Sequence, residues 1–245
     1  MSTHIEKCKI LFRGQRFSEL DQFLETMQSG YEQGNISELV LTETFNVFCS
    51  VDPSYETKLE AYLLVYPNSY SANLAYGIYC IEYGWTKRGY DFADKLSETQ
   101  IRGFIAYLQL ADEHLRRSLQ HAKKPILSYV QLMIIAMGIG EQQDGDKLNF
   151  YRAGLECAPD CLGVRKQYLR TLRVQWGGSF KEMSDFVSDK EHTKLSRQNY
   201  SQFIASKHFI DAHYYFVIER HTPYLLVALV KGLFRLTHAK ILSLT

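Results

Sequence analysis

QWGGSFKEMSDF, residues 175–186, holds the only Gly-Gly pair in the chain, and its reading decides between two folds. Paired glycines ahead of a serine cradle a phosphate when a strand precedes them and a lysine opens the following helix. Lys181 stands in the right place, but no strand pattern comes before it. Ser179 and Glu182 instead form an S-x-x-E capping box, and Phe180, Met183, Phe186 and Val187 recur at helical spacing. Gly177 is placed to end the preceding helix in a left-handed turn, with Trp176 over the joint. The stretch is a helix stop and restart, so the chain around it reads as helices.

The neighbouring segments agree. SETQIRGFIAYLQLADEHLRRSLQHAKKP (97–125) opens on a Ser97/Gln100 capping box. Ile101, Phe104, Ile105, Leu108, Leu115 and Leu119 form its apolar face, and bases crowd its last turns. Pro125 then opens ILSYVQLMIIAMG, KLNFYRAGLECAP follows, and Pro159 precedes DCLGVRKQYLRTLRV. Upstream, VDPSYETKLEAYLLVYP (51–67) offers Asp52 as N-cap and Pro53 as first helical residue, with a stripe of Tyr55, Leu59, Tyr62, Leu63 and Tyr66. Pro67 stops it, and NSYSANLAYGIYCIEYG begins a helix that ends at Gly84. HYYFVIERH (213–221) has strand-like content, but its context favours helix.

Pro125 and Pro159 lie 34 residues apart, the tetratricopeptide period, although the tryptophan-leucine-glycine-tyrosine signature of true tetratricopeptide repeats is missing. The expected fold is therefore all-α: irregular helical hairpins stacked as a short tetratricopeptide-like α-solenoid.

Little in the sequence looks like chemistry. MGIGEQQDG lacks the third glycine of a dinucleotide fingerprint and follows a helix pattern, so it reads as a turn. Cys157 and Cys161 have no second pair to complete a metal site. No HExxH pair and no serine nucleophile elbow is present. Asp112, Glu113 and His114 point apart on a helix and read as a solvated face. Five cysteines in 245 residues form no disulfide framework and read as reduced thiols of a cytosolic protein. The apolar stretch PYLLVALVKGLFRLTHAKILSL carries Lys231, Arg235 and Lys240, which argues against a membrane span.

Net charge is only +1, but it is unevenly spread. Ten acids between Phe17 and Gly84 face the single base Lys58, which gives −9 over that segment. Such a front steers a basic partner, whereas nucleic-acid binding has neither a basic surplus nor a motif behind it. Tyr76, Tyr79, Tyr83 and Trp85 form an aromatic ladder suited to helix packing or to anchoring a protein partner.

GWTKRGYDFADKLSETQIRGF, the helix ending in HAKKPILSYVQLM, and FYRAGLECAPDCLGVRKQYLRTLRVQWGGSFKEMSDF together resemble a bacterial family known only as a domain of unknown function. Its recurrent features are a Trp-x-x-Arg-Gly element (here Trp85, Arg88 and Gly89), prolines opening successive helices, and a Trp-Gly-Gly-Ser element (here Trp176, Gly177, Gly178 and Ser179). The resemblance runs from about Leu59 to Val187, and Val174-Gln175 stand where the family usually has Pro-Arg. It implies a tetratricopeptide-like helical fold without established catalytic residues. It also implies a kinship with proteins found beside bacterial polymorphic toxins, where a small cytosolic partner neutralises the toxin. The expected organisation is one helical domain over 1–245, with acidic helices in 1–58, the family-like core in 59–187 and C-terminal helices in 188–245.

The function expected on these grounds is an immunity-type protein, a monomer in a 1:1 complex, that blocks the active site of a cognate toxin domain. Glu38, Glu43, Glu56, Glu60 and Glu82 would meet a basic face, while Tyr55, Tyr62, Tyr79 and Tyr83 would supply anchors. The alternative is a general tetratricopeptide-like scaffold or adaptor for host proteins or peptides. No catalytic activity, cofactor, metal, nucleic acid or membrane partner is expected.

Overall fold

The computed structural model describes residues 3–89, 91, 95–139, 144–217, 229 and 231–233. Every regular element among them is helical, so the fold is all-α as expected. Two compact units divide the chain, Met1–Ile139 and Gly140–Thr245.

The first unit contains α1 (Thr3–Arg13), α2 (Phe17–Glu32), α3 (Glu38–Phe45), α4 (Ser54–Val65), α5 (Tyr70–Arg88), α6 (Glu98–Ser118) and α7 (Ile126–Ile139). At its centre lies α5, in contact with α2, α4, α6 and α7. Every residue from Tyr70 to Ile81 is buried, which is why this helix shows no polar face in sequence. Among its polar members, Ser71 donates to Glu25 at 3.1 Å and the Asn73 amide donates to the Pro67 and Ser69 carbonyls at 2.9 Å, whereas the buried Tyr79 hydroxyl meets no hydrogen-bond partner. Gly77 and Gly84 line the side turned to α6. A Cβ at Gly77 would sit 2.6 Å from Leu115 Cγ, and one at Gly84 would sit 3.1 Å from Tyr107 Cβ.

Several sequence-based boundaries shift. The expected stop at Gly84 is overrun, because α5 needs that glycine for packing and continues to Arg88. Helix α4 starts at Ser54, one residue after the expected first position, and Asp52 Oδ1 accepts from Ser54 N at 2.9 Å. The Ser97/Gln100 capping box of α6 is present in both directions. Its apolar face is narrower than expected: Phe104, Leu108, Ala111 and Leu115 are buried, while Ile101 and Ile105 are each 39% exposed. His114 does not belong to a solvated face. It is half-buried, 2.9 Å from Asn73 Oδ1 and edge-on to Tyr76 at 4.8 Å.

Polar clamps tie α2 to its surroundings. Asp21 accepts from the Tyr62 hydroxyl at 2.6 Å and the Ser69 hydroxyl at 2.5 Å. Glu32 Oε1 accepts from the main-chain amides of Lys123 (2.8 Å) and Lys124 (3.1 Å) and from Gln28 Nε2 (3.0 Å), which holds the α6–α7 link against α2.

The second unit contains α8 (Asp144–Cys157), α9 (Leu162–Thr171), α10 (Phe180–Ser188) and α11 (Arg197–Val217). Its core gathers Leu162, Leu169, Met183, Val187, Leu195 and Phe203. Arg165 is buried within it. Its guanidinium donates to the carbonyls of Pro159 (2.7 Å) and Cys161 (2.9 Å) and to His192 Nδ1 (3.2 Å), so neutral acceptors satisfy a buried cation. Burial, and secondarily the Arg165 charge, hold the His192 imidazole below its ordinary range, so it is neutral at pH 7.

The opening stretch is a stop and restart, with a difference in detail. Helix α9 ends at Thr171, and a 3-10 turn, Val174–Trp176, intervenes before Gly177, which takes the left-handed φ of 87°. Gly178 answers a separate demand: a Cβ there would fall 2.1 Å from the Leu172 carbonyl oxygen. Ser179 caps α10 by accepting from Glu182 N at 3.1 Å. The Glu182 carboxylate takes the Ser179 hydroxyl at 2.7 Å in place of the reciprocal backbone bond. Of HYYFVIERH, His213–Val217 is helical and 218–221 lie outside the described residues. Arg235 and Lys240 of the apolar C-terminal stretch also lie outside them, as does 140–143 of the segment read as a turn.

Candidate functional site

The predicted partner-binding residues separate into three groups. Tyr55, Glu56, Tyr79 and Tyr83 come together where α4 and α5 meet α6. Tyr55 stacks 6.5 Å from Tyr79, and Tyr79 stacks 5.4 Å from Tyr83. Tyr107, from α6, closes the cluster: its ring meets Tyr83 edge-on at 4.9 Å, and its hydroxyl donates to Glu56 at 3.0 and 3.2 Å to the two oxygens. Sequence reasoning missed Tyr107. The signal available was its place between Phe104 and Leu108, one step off the buried stripe, where an aromatic ring reaches the edge of the core.

Glu82 lies beside this group on α5 and accepts from the Cys49 thiol at 3.3 Å. Cys49 is exposed as a residue, yet desolvation of its sulfur and then the Glu82 charge push the thiol up to about 12. Glu60 is exposed, one turn after Glu56 on α4, and both charges act on Tyr76. Burial first, and then neighbouring groups that include Glu56, raise the phenols of Tyr76, Tyr79 and Tyr107 above their usual range. Desolvation first, then Glu56, pushes the buried Cys80 thiol up to about 12. Neither thiol is a nucleophile at neutral pH.

Glu38 and Glu43 lie on α3, Glu38 in its first turn, and Glu43 makes no ion pair among the described residues. Tyr62 and Tyr79 correct the expectation of surface anchors. Both are fully buried: Tyr62 stacks on Phe17 at 5.5 Å and bonds Asp21, and Tyr79 fills the centre of the cluster. Their area is spent on the core, so a partner reaches only Tyr55 and Tyr83 of the four.

The two motif elements turn out to be joints. Trp85 packs on Phe104 at 4.7 Å, and the Arg88 guanidinium lies 5.6 Å from the Trp85 ring while donating to the carbonyls of Gly89 (3.2 Å) and Asp91 (3.1 Å). Gly89 ends α5 at a φ of 77°, and Gln100 of the α6 capping box donates to Arg88 O at 3.0 Å. Trp85, Arg88 and Gly89 thus set the exit of α5 and the entry of α6. Gly177, Gly178 and Ser179 do the same for the entry of α10.

Elsewhere on the first unit, a groove of about 520 Å³ runs along α2, lined by Glu25, Thr26, Ser29 and Gln33. It holds none of the predicted residues. Among the described residues, no group of three or more His, Cys, Asp or Glu side chains could hold a metal ion, and no helix is long and apolar enough to cross a membrane. None of the five cysteines forms a disulfide.

No curated protein and no solved structure matches the chain. A family does, over a stretch that starts earlier and ends sooner than the sequence resemblance suggested. The Trp85–Gly89 element falls inside that stretch, and Trp176–Ser179 falls outside it. Residues 4–143, more than half of the chain, match the family described as "Domain of unknown function (DUF4034)", and the chain belongs to that family.

Proposed function

We propose that this chain is a non-catalytic, immunity-type binding protein that seats on a basic cleft of a cognate toxin domain in the cytosol and blocks it. The observation that carries this reading is an imbalance of ion pairing in the first unit. Glu6, Glu19, Glu98, Asp112 and Glu113 each pair with a lysine or arginine. Glu43, Glu56, Glu60 and Glu82 pair with none among the described residues, although the surface elsewhere readily supplies bases. Carboxylates left open beside half-exposed tyrosines speed encounter with a basic surface and offer it amphipathic contact. Leu39, Val51, Leu64 and Val65 add exposed apolar area on α3, α4 and the segment between them, with Leu64 84% exposed.

The test is affinity capture on the intact chain at low and high salt, with identification of what is retained. One tight basic partner is expected, held less well at high salt. A combined Glu43→Lys, Glu60→Lys and Glu82→Lys variant should slow association and end protection of cells that express the partner. Undiminished protection by that variant would remove the electrostatic mechanism. A set of unrelated retained proteins would favour the scaffold reading.

A further inference from the structure

Glu56 is half-buried, and both of its carboxylate oxygens accept from one hydroxyl, that of Tyr107, at 3.0 and 3.2 Å. That bond fixes the rotamer but leaves a lone pair on each oxygen, and no cation meets them among the described residues. Half-exposed Tyr55 precedes Glu56 on α4 and stacks on Tyr79, and half-exposed Tyr83 meets the Tyr107 ring edge-on at 4.9 Å. Between them Tyr79 contributes a hydroxyl that is fully buried and has no hydrogen-bond partner. Lys87 Nζ stands 4.6 Å from the centroid of the Tyr83 ring, so this aromatic surface already attracts a cation. Lys87 itself is exposed, on a flexible stem, and a better-matched cation can displace it.

We propose that Glu56, Tyr83 and Tyr107 form the receptor for a single arginine side chain of the protein partner. The guanidinium forks onto the two fixed carboxylate oxygens while its plane lies against the tyrosine surface. Two properties select arginine over lysine. A carboxylate held in one orientation matches two parallel N–H groups, and a planar, weakly hydrated cation loses less water on an aromatic face than an ammonium does. The phenols of Tyr76, Tyr79 and Tyr107 and the thiol of Cys80 all lie in the Glu56 field, which the arriving cation would neutralise. This inference rests on the binding-protein reading and names the chemistry that its partner presents.

The test uses the full chain and three blocked peptides, N-acetyl-Gly-X-Gly-amide with X as arginine, lysine or citrulline, followed by NMR of the tyrosine rings. The arginine peptide should shift Tyr83 and Tyr107 saturably, the lysine peptide should bind more weakly, and the uncharged citrulline peptide should not bind. Glu56→Gln should weaken arginine binding on the order of tenfold, as expected for loss of a charged hydrogen-bonding partner. Glu113→Gln, at a paired carboxylate on α6, should leave it unchanged. Tyr107→Phe keeps the ring and removes only the hydroxyl. It should weaken binding less than Glu56→Gln does, and it serves if that variant proves unstable. Equal binding of arginine and citrulline, shifts spread over other acids, or an unchanged affinity in both variants would overturn the receptor. If a protein partner is captured and Glu56→Gln retains it fully, the receptor fails while the binding-protein reading stands. Saturable arginine binding at Tyr83 without any captured protein would support the receptor and sink that reading.

Discussion

Gly177 and Gly178 are adjacent, yet alanine at each meets a different obstacle. At Gly177 nothing lies within 4 Å of an added Cβ, so only the φ of 87° resists, and the cost should be about 1 kcal/mol. At Gly178 the Cβ would overlap the Leu172 carbonyl, so the backbone must move, and the loss should be about 3 kcal/mol. Urea midpoints of the two variants measure the difference. His192 makes a pH prediction. Its folded pKa lies below the unfolded value of about 6.5, so the unfolded chain binds the extra proton. Stability of the second unit is then full above that value and falls as pH drops below it, which denaturation at a series of pH values checks. Asp211, in the same unit, is raised by burial. Its contribution is present below the ordinary aspartate value of about 3.9 and is lost as pH rises through its folded pKa, so its window starts below that of His192. A His192→Gln chain should show a flatter acid limb. Residue-scale chemistry was legible only where it is local. Ser97, Gln100 and Ser179 announce caps within three positions of their partners, whereas Arg165 meets His192 27 residues away and Tyr107 meets Glu56 51 residues away.

At the scale of elements, prolines and capping boxes located helix starts, and apolar stripes located amphipathic helices such as α6. The start of α5 was legible after Pro67, but its end was not, because burial on all sides erases periodicity and its internal glycines imitate stop signals. The contact of α5 with α6 depends on those glycines. Gly77→Ala would drive a Cβ to 2.6 Å from Leu115 Cγ, a side chain that can shift only partly in a filled core. Overpacking of this kind should cost about 1–3 kcal/mol. A companion Leu115→Val change should recover part of the loss, and a double-mutant cycle in urea measures the coupling. The aromatic ladder was likewise half legible: its spacing gave one helix face, but nothing in the spacing separates buried Tyr79 from half-exposed Tyr83.

At the scale of the whole molecule, the charge layout was legible by counting and its organisation was not. The segment that sums to −9 lies within the unit Met1–Ile139, whose core is its own. A fragment ending at Ile139 should therefore unfold cooperatively by circular dichroism and keep the helical signal of its seven helices. A non-cooperative melt of that fragment would show that it needs the rest of the chain. The acid count also conceals how each charge is used. Glu32 meets two lysines, yet its bonds run to the main-chain amides of Lys123 and Lys124, which every residue except proline supplies. Inheritance should register that difference. Positions 123 and 124 can drift through most side chains with the clamp intact, while position 32 cannot, so the acid should persist across descendants long after its lysine neighbours have changed.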